Sequence, residues 1–334
     1  MQINLETTGT VALAQKNRIV SFVIPVWNEA DNIEKLYAEL KTVLPRDRYN
    51  YNFIFVDDGS TDRSLEIIKQ LSTRDPAVFY IELSRNFGHQ YALKAGLDRS
   101  AGDAVISMDC DLQHPPEVVL QLITKWEQGF DIVYTTRAED KNLPWLKRKS
   151  SSFFYSLLNW LSDLNLEQGT ADFRLMSRNA LDAFMQLNES ELFIRGLVKW
   201  SGFRQIAIEY MPRGRYAGES KYSIKKMLSL ALRGITSFSV KPLRLMAYLG
   251  MMLFLFSLIL IPYPIISYMM GRAVSGWSSL MIVTIFFGSL QMLMLGILGL
   301  YISKIAIQSK QRPLYFIRDT NYAVQRREAF EKMP

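Results

Sequence analysis

The 334-residue chain has a single cysteine, Cys110, and only two histidines. One thiol excludes an intrachain disulfide and a cysteine-built zinc cluster, and it suits a reducing compartment. No Gly-x-Gly-x-x-Gly follows the first apolar run, and no Gly-x-x-x-x-Gly-Lys-Ser/Thr occurs. Dinucleotide redox chemistry and P-loop phosphoryl transfer therefore lose their usual support. No nucleic-acid-binding motif is present, so the net charge of +7 points to anionic lipid or phosphate-bearing substrates instead. The N-terminus carries Glu6 and no apolar core; 1–17 is expected to be a short extension and not a secretory signal. Charge is also missing from two long stretches, 245–270 and 273–303.

Each of those stretches exceeds the roughly 20 apolar residues that cover a bilayer's hydrocarbon core. Two spans are therefore expected, within 244–303, with Pro262 and Pro264 kinking or ending the first. Lys225, Lys226, Arg233, Lys241 and Arg244 precede them. Lys304, Lys310, Arg312, Arg318, Arg326 and Arg327 follow, and only Arg272 lies between. This asymmetry places both termini in the cytoplasm, at the inner membrane. Two further segments, 150–163 and 222–240, carry apolar residues at helical spacing opposite polar ones. Such helices lie in the headgroup plane or pack on a globular core. The second, within a juxtamembrane segment 222–243, leads directly into a span. The remaining 304–334 reads as a cytosolic tail.

The region 18–221 reads as the catalytic domain. Apolar strands are expected at 20–25, 51–56, 78–83, 104–108 and 132–136, with helices between them. One helix runs from about Asn28 to Leu44, one is capped by Ser60 or Thr61, one begins near Gly88, and one has Pro116 in its first turn. This alternation predicts an α/β fold with a mostly parallel sheet covered by helices on both faces. Ligands of such sheets bind at the carboxyl ends of strands. Trp27-Asn28-Glu29, Asp57-Asp58-Gly59-Ser60 and Asp109-Cys110-Asp111 all fall there.

Asp109 and Asp111, two residues apart just past a strand, can face one cleft, and Gln113 can add a third oxygen. Hard oxygen donors suit Mg²⁺ or Mn²⁺. Most Asp-x-Asp pairs are solvated turn residues, but this one ends an apolar strand. Asp57 and Asp58 can form a turn and cap, or accept hydrogen bonds from a base N–H or ribose hydroxyls. Lys147-Arg148-Lys149, ahead of the first amphipathic segment, can grip a headgroup phosphate or form a general anionic-lipid patch.

The runs Ser21–Glu29, Val56–Asp62, Ser84–Gln90 and Met108–Pro116, with Gly169–Met176 and Arg215–Tyr222, closely resemble the family 2 glycosyltransferases of GT-A fold. Within them the chain resembles the polyisoprenyl-phosphate hexosyltransferases, the dolichol-phosphate mannose synthase-like branch. Its two apolar stretches match the bacterial bactoprenol-linked glucosyltransferases. The resemblance implies that Pro25, Trp27, Glu29, Val56, Asp57 and Asp58 form the nucleotide pocket, with Cys110 beside it. Trp27 stands where that family usually has Tyr, and Cys110 where Ala is common. It implies that Asp109, Asp111 and Gln113 hold the metal, and that Arg215 and Lys221 close over the donor diphosphate. Arg137, Arg148 and Ser152 would hold the lipid phosphate, with Asp172 and Arg174 lining the acceptor side.

The expected reaction is inverting transfer of one hexose, glucose from UDP-glucose, to undecaprenyl phosphate. Mannose from GDP-mannose and an aminopentose on UDP are the alternative donors. A phosphate monoester, with a second pKa near 6, is already largely a dianion at neutral pH and needs no strong base. Partners are thus a nucleotide-sugar, a polyisoprenyl phosphate and a membrane, with no nucleic acid, and a homo-oligomer is expected. A processive polysaccharide synthase would carry Gln-x-x-Arg-Trp and more spans, which this chain lacks. An inactive membrane scaffold would not need its acidic and basic clusters.

Overall fold

The computed structural model describes residues 18–45, 47–138, 159–160, 167, 169–213, 236–260, 262–270 and 276–322. It divides into two compact units. One comprises Met1–Tyr155, Asn165–Ile224 and Pro313–Pro334, the other Ser156–Leu164 and Lys225–Arg312.

The first unit opens with β1 (Ile19–Val26), α1 (Ala30–Val43), β2 (Asn50–Asp57), α2 (Ser64–Arg74), β3 (Val78–Leu83), α3 (His89–Arg99), β4 (Ala104–Ser107), α4 (Glu117–Glu127) and β5 (Ile132–Arg137). All five expected strands are present at the expected places. β6 (Thr170–Ser177), α5 (Arg178–Met185), α6 (Ile194–Trp200) and β7 (Gln205–Tyr210) follow. β8 (Ile317–Thr320) comes after the second unit. The strands form one sheet in the order β7-β5-β6-β4-β1-β2-β3-β8.

β1 pairs in parallel with β2 and β4, and β2 with β3, so one stretch of the sheet is wholly parallel. The remainder is mixed. β6 runs antiparallel between β4 and β5, and β8 lies antiparallel on β3. The expectation of a mostly parallel sheet therefore holds for its centre, and the whole is mixed. Residues 313–322, assigned to a tail from sequence, supply the β8 edge.

The strand period sorts β1 between the two faces. Val20, Phe22, Ile24 and Val26 enter the main core with Ile33, Leu36 and Leu40 of α1 and Val119 and Leu122 of α4. Phe22 stacks on Phe53 at 5.2 Å, and Tyr37 meets Phe53 edge-on at 5.3 Å. Burying each such ring contributes up to about 3 kcal/mol. The opposite face takes α3. A Cβ on Gly96 would come within 2.3 Å of Val23 Cγ1 and 2.9 Å of Val56 Cγ2, so the helix packs there only because residue 96 is glycine.

One local expectation is corrected. α2 starts at Ser64, and neither Ser60 nor Thr61 caps it. Asp62 Oδ1 takes the Ser64 N–H at 3.0 Å. The hydroxyl of Ser60 and the backbone of Thr61 are committed to another loop, as described below.

The second unit contains α7 (Lys241–Leu260), α8 (Pro262–Met269) and α9 (Trp277–Ser309). The first expected span is thus divided between α7 and α8, and α8 begins on Pro262, whose fixed φ suits a first helical residue. Among the described residues one segment, Phe286–Ser309, is long and apolar enough to cross a membrane, and none of its qualifying window is buried. The side chains of Phe256, Ile259, Leu280, Met292 and Ile305 are more than half exposed. Of the two amphipathic segments, only 159–160 and 236–240 fall among the described residues.

Candidate active site

Two loops at the carboxyl ends of β1 and β2 are laced together. Asn28 N donates to Ser60 Oγ at 3.0 Å, Glu29 N to Ser64 Oγ at 2.9 Å, and Ala30 N to Asp62 Oδ2 at 3.2 Å. In return Thr61 N donates to Asn28 Oδ1 at 2.8 Å. Asn28 adopts φ +55° to do this, a conformation that Asn tolerates better than most residues. The lacing leaves Trp27 45% exposed at the loop's rim. Pro25 and Val56 are buried. The Val56 side chain faces α3, its Cγ2 lying where a Cβ on Gly96 would come within 2.9 Å.

Asp58 holds the next turn. Its Oδ1 accepts from Phe87 N at 2.7 Å and its Oδ2 from Gly88 N at 2.9 Å. Gly59, at φ +67°, passes so close that a Cβ would lie 2.6 Å from Arg85 C and Asn86 N. Asp57 Oδ2 accepts from Ser60 N at 3.2 Å, while its buried Oδ1 has no hydrogen-bond partner among the described residues. Burial pushes both the Asp57 and the Asp58 carboxyls above their ordinary value.

A carboxylate that is desolvated and half-satisfied costs stability unless a ligand completes it. Its folded pKa is raised, so it favours the fold at low pH, and that contribution fades as pH rises through the folded value. Asp57→Asn is expected to raise the apparent melting temperature at pH 7 by a few degrees, about 1 kcal/mol. The advantage over the parent should shrink as pH falls toward the ordinary carboxylate range. A lower melting temperature in the variant at pH 7 would refute this account.

The β4 end is built around Asp109. Its N–H donates to His114 Nδ1 at 3.1 Å, which leaves the proton of the neutral ring on Nε2. His114 is 1% exposed and stacks on Phe173 at 4.8 Å. Burial pushes its pKa down despite the nearby carboxylates. Its Nε2 lies 3.7 Å from Asp109 Oδ2. His89, the first residue of α3, places Nε2 3.4 Å from Asp109 Oδ1 and 3.9 Å from Asp172 Oδ2. Both histidines of the chain thus converge on one carboxylate. Asp111 Oδ1 accepts from Gln113 N at 3.1 Å, and Leu112 between them is held at φ +61°, a strained setting for a branched side chain. Arg213 N ties the Gln113 carbonyl at 3.1 Å.

Among the described residues no three His, Cys, Asp or Glu side chains are gathered to hold a metal. The donor set nevertheless fits a hard divalent cation. Asp109 Oδ1 is buried without a hydrogen-bond partner among the described residues, and Asp111 and Gln113 follow on the same turn. Cys110 does not join them. It is 2% exposed in the core, and burial raises its thiol well above the ordinary value, so it acts as a small apolar filler.

Asp172 is an ion-pair hub. Arg195 reaches it bidentately, Nε to Oδ1 at 3.1 Å and Nη2 to Oδ2 at 2.8 Å. Arg174 Nη2 lies 2.8 Å from Oδ1. Burial alone would raise the carboxyl, but Arg195 and Arg174 outweigh it and hold Asp172 far below the carboxylate range. Asp172 is 6% exposed, and both of its oxygens are engaged by these guanidinium groups. Arg174, 1% exposed, is buried with it. Arg137 stands exposed at the end of β5, its Nε donating to Tyr210 OH at 3.2 Å. Arg148, Ser152, Arg215 and Lys221 lie outside the described residues.

Sequence reasoning missed His89, His114 and Arg195 as site residues. The two histidines sit inside the runs Ser84–Gln90 and Met108–Pro116, and their rarity in this chain was the available signal. Arg195, on α6, had none.

A model of "Glycosyl transferase family 2" matches residues 21–184. The chain is 41% identical over 314 residues to an uncharacterized glycosyltransferase, YkcC, of Bacillus subtilis, covering 93% of this chain and 96% of that protein. It is 40% identical over 301 residues to the bactoprenol glucosyl transferase of Shigella phage SfV, covering 90% and 98%. Among solved structures it is similar to a glucosyl-3-phosphoglycerate synthase of Mycobacterium tuberculosis at a TM-score of 0.48 and 17% identity. That match covers 71% of this chain and 84% of that one, and is too distant to bear on activity.

Proposed function

The chain belongs to glycosyl transferase family 2, and from that membership we propose that it moves one hexose, glucose from UDP-glucose, onto undecaprenyl phosphate at the cytoplasmic membrane face. The observation that carries this reading is the set of carboxylates, Asp57, Asp58 and Asp109, at or just past the ends of β2 and β4, the two parallel strands that flank β1. The 40% identity to a bactoprenol glucosyl transferase supports the acceptor and the sugar.

The nucleotide lies against Trp27 and Glu29, and the unpartnered Asp57 Oδ1 accepts a hydrogen bond from it. Asp109, Asp111 and Gln113 hold Mg²⁺ or Mn²⁺, which would offset the charge developing on the leaving diphosphate. Arg215 and Lys221 close over that diphosphate. Arg137, Arg148 and Ser152 hold the acceptor phosphate, whose charge is already in place at neutral pH. A phosphate oxygen forms the bond to C1 while the bond from C1 to the nucleoside diphosphate breaks, its electron pair leaving with the diphosphate. C1 inverts. Positioning two anions is the main demand on the protein.

The sheet supports a two-span topology. β8 comes after α9 and pairs with β3, so the helical segment leaves and re-enters the same unit. A chain that does so crosses a bilayer an even number of times. If α9 crosses, a second crossing is required, and in this reading α7 with α8 would supply it. The exposed apolar side chains of these helices suit lipid better than water. The basic residues on either side favour a cytoplasmic catalytic unit.

One experiment tests the whole reading. Inverted membrane vesicles carrying the full chain receive undecaprenyl phosphate and, separately, labelled UDP-glucose, GDP-mannose and a UDP-aminopentose. A lipid product bearing one glucose, from donor added outside the inverted vesicles, is expected. Preference for another donor would overturn the sugar. Longer chains would overturn single transfer. Activity confined to right-side-out vesicles would overturn the orientation.

A further inference from the structure

We infer that residues 313–322, which follow α9, form a strap that positions the donor side of the site by holding the turn 84–88. Ser84 is gripped twice by this strap. Its N–H donates to the Phe316 carbonyl at 2.8 Å, and its own carbonyl accepts from Arg318 Nη2 at 2.8 Å. Strand pairing with β8 ends at Leu83, so these two bonds carry the contact one residue further, to where the chain turns into the site. The other end of the turn is held by Asp58, through Phe87 N and Gly88 N. The strap and the β2 loop therefore clamp the turn from opposite ends. The next residue, His89, is delivered to within 3.4 Å of Asp109.

The strap is well anchored for this task. Tyr315 OH donates to Asp98 Oδ2 at 3.0 Å, and Ala101 N donates to Tyr322 OH at 3.2 Å. Arg318 also pairs with Glu82 at 3.2 Å, and Asp319 with Lys69 at 3.1 Å. The Phe316 ring lies 6.3 Å from Phe87, so side-chain packing adds to the main-chain grip. Nothing in the lengths of α9 and β8 demands these contacts. An edge strand alone would need only the β3 ladder.

The link to the donor rests on the reading of Asp57 and Asp58 given above. The test uses the full chain in detergent. Arg318→Ala should make the Phe87 and Gly88 amides exchange about tenfold faster. It should raise KM for UDP-glucose about three- to tenfold and leave KM for undecaprenyl phosphate unchanged. Arg318→Lys should recover part of both effects. Asp319→Asn weakens the Lys69 anchor and leaves both bonds to Ser84 in place, so it should move both readouts less than Arg318→Ala. Phe316→Ala, at a 56% exposed position, should give a smaller change of the same sign and serves if Arg318→Ala fails to fold. Unchanged exchange at Phe87 and Gly88 in both variants would overturn the strap whatever the donor. Faster exchange with an unchanged donor KM would overturn its link to the site. A parent chain that uses no nucleotide-sugar would overturn the proposed function and leave the exchange result standing.

Discussion

Asp109→Asn is expected to lower transfer by about a hundredfold or more while the protein stays folded in detergent. Asp109 Oδ1 is buried without a hydrogen-bond partner among the described residues, and two imidazoles frame the same carboxylate at 3.4 and 3.7 Å. Removing the charge takes away a hard oxygen donor but no packing volume. The main-chain bond from residue 109 to His114 Nδ1 survives the change, so the β4 turn keeps its shape. Stability should therefore fall little, and activity greatly. Asp111→Asn should behave likewise in activity, with a small structural cost because Asp111 Oδ1 also accepts from Gln113 N. Binding of Mn²⁺, followed by its paramagnetic resonance signal, should weaken in both variants independently of turnover. Full activity of both variants in a chelator would sink the metal reading.

The same pair of residues shows how far the sequence is readable. β1, β2 and β4 are apolar runs with a carboxylate at the end or within three residues of it, and hydrophobic patterning alone finds strands of that kind. β6 is different. Its Thr-Ala-Asp-Phe-Arg-Leu-Met-Ser run buries Asp172 and Arg174, and charged residues in sequence signal a loop. Only their mutual pairing, together with Arg195 from a distant helix, lets them enter the sheet. β8 is four residues long with two charges, too short and too polar to stand out, and it is a strand because β3 offers an open edge.

The site divides along the same line. Asp57, Asp58, Asp109 and Asp111 follow strand ends and can be named from the chain. That Ser60 and Thr61 bond to Asn28, and do not cap α2, depends on two loops meeting. The convergence of His89 and His114 on Asp109 depends on the start of α3 meeting the turn that follows β4. Local rules do not encode such meetings. Burial of the Val56 and Cys110 side chains was not legible for a related reason. A motif position says which residues cluster in sequence, while the strand period decides which of them faces the core.

Asp172→Ala is expected to destabilise the fold by about 3–5 kcal/mol, lowering the apparent melting temperature by roughly 10 °C. The loss comes less from the missing contacts than from what they leave behind. Arg174 is 1% exposed, and its remaining acceptor from Nη2 is the Ala171 carbonyl at 3.0 Å. Arg195 loses both of its bonds to the carboxylate. Two guanidinium groups then face each other across a buried gap with no anion between them, and neither can shed its proton near neutral pH. Asp172→Asn keeps an acceptor in place and should cost less. Arg174→Met in the Asp172→Ala background removes the stranded charge and should recover part of the loss, which simple deletion of contacts would not do. The hub is also insensitive to mild acid. The Asp172 carboxyl is held below its ordinary value, so its stabilisation is present above the unfolded carboxylate pKa, near 4, and is lost only as pH falls below that range. Thermal melts of the two single variants and the double variant at pH 5 and pH 7 decide the matter. An Asp172→Ala melt within a degree of the parent, or a double variant less stable than Asp172→Ala, would show that Asp172 is not what keeps the buried Arg174 in place.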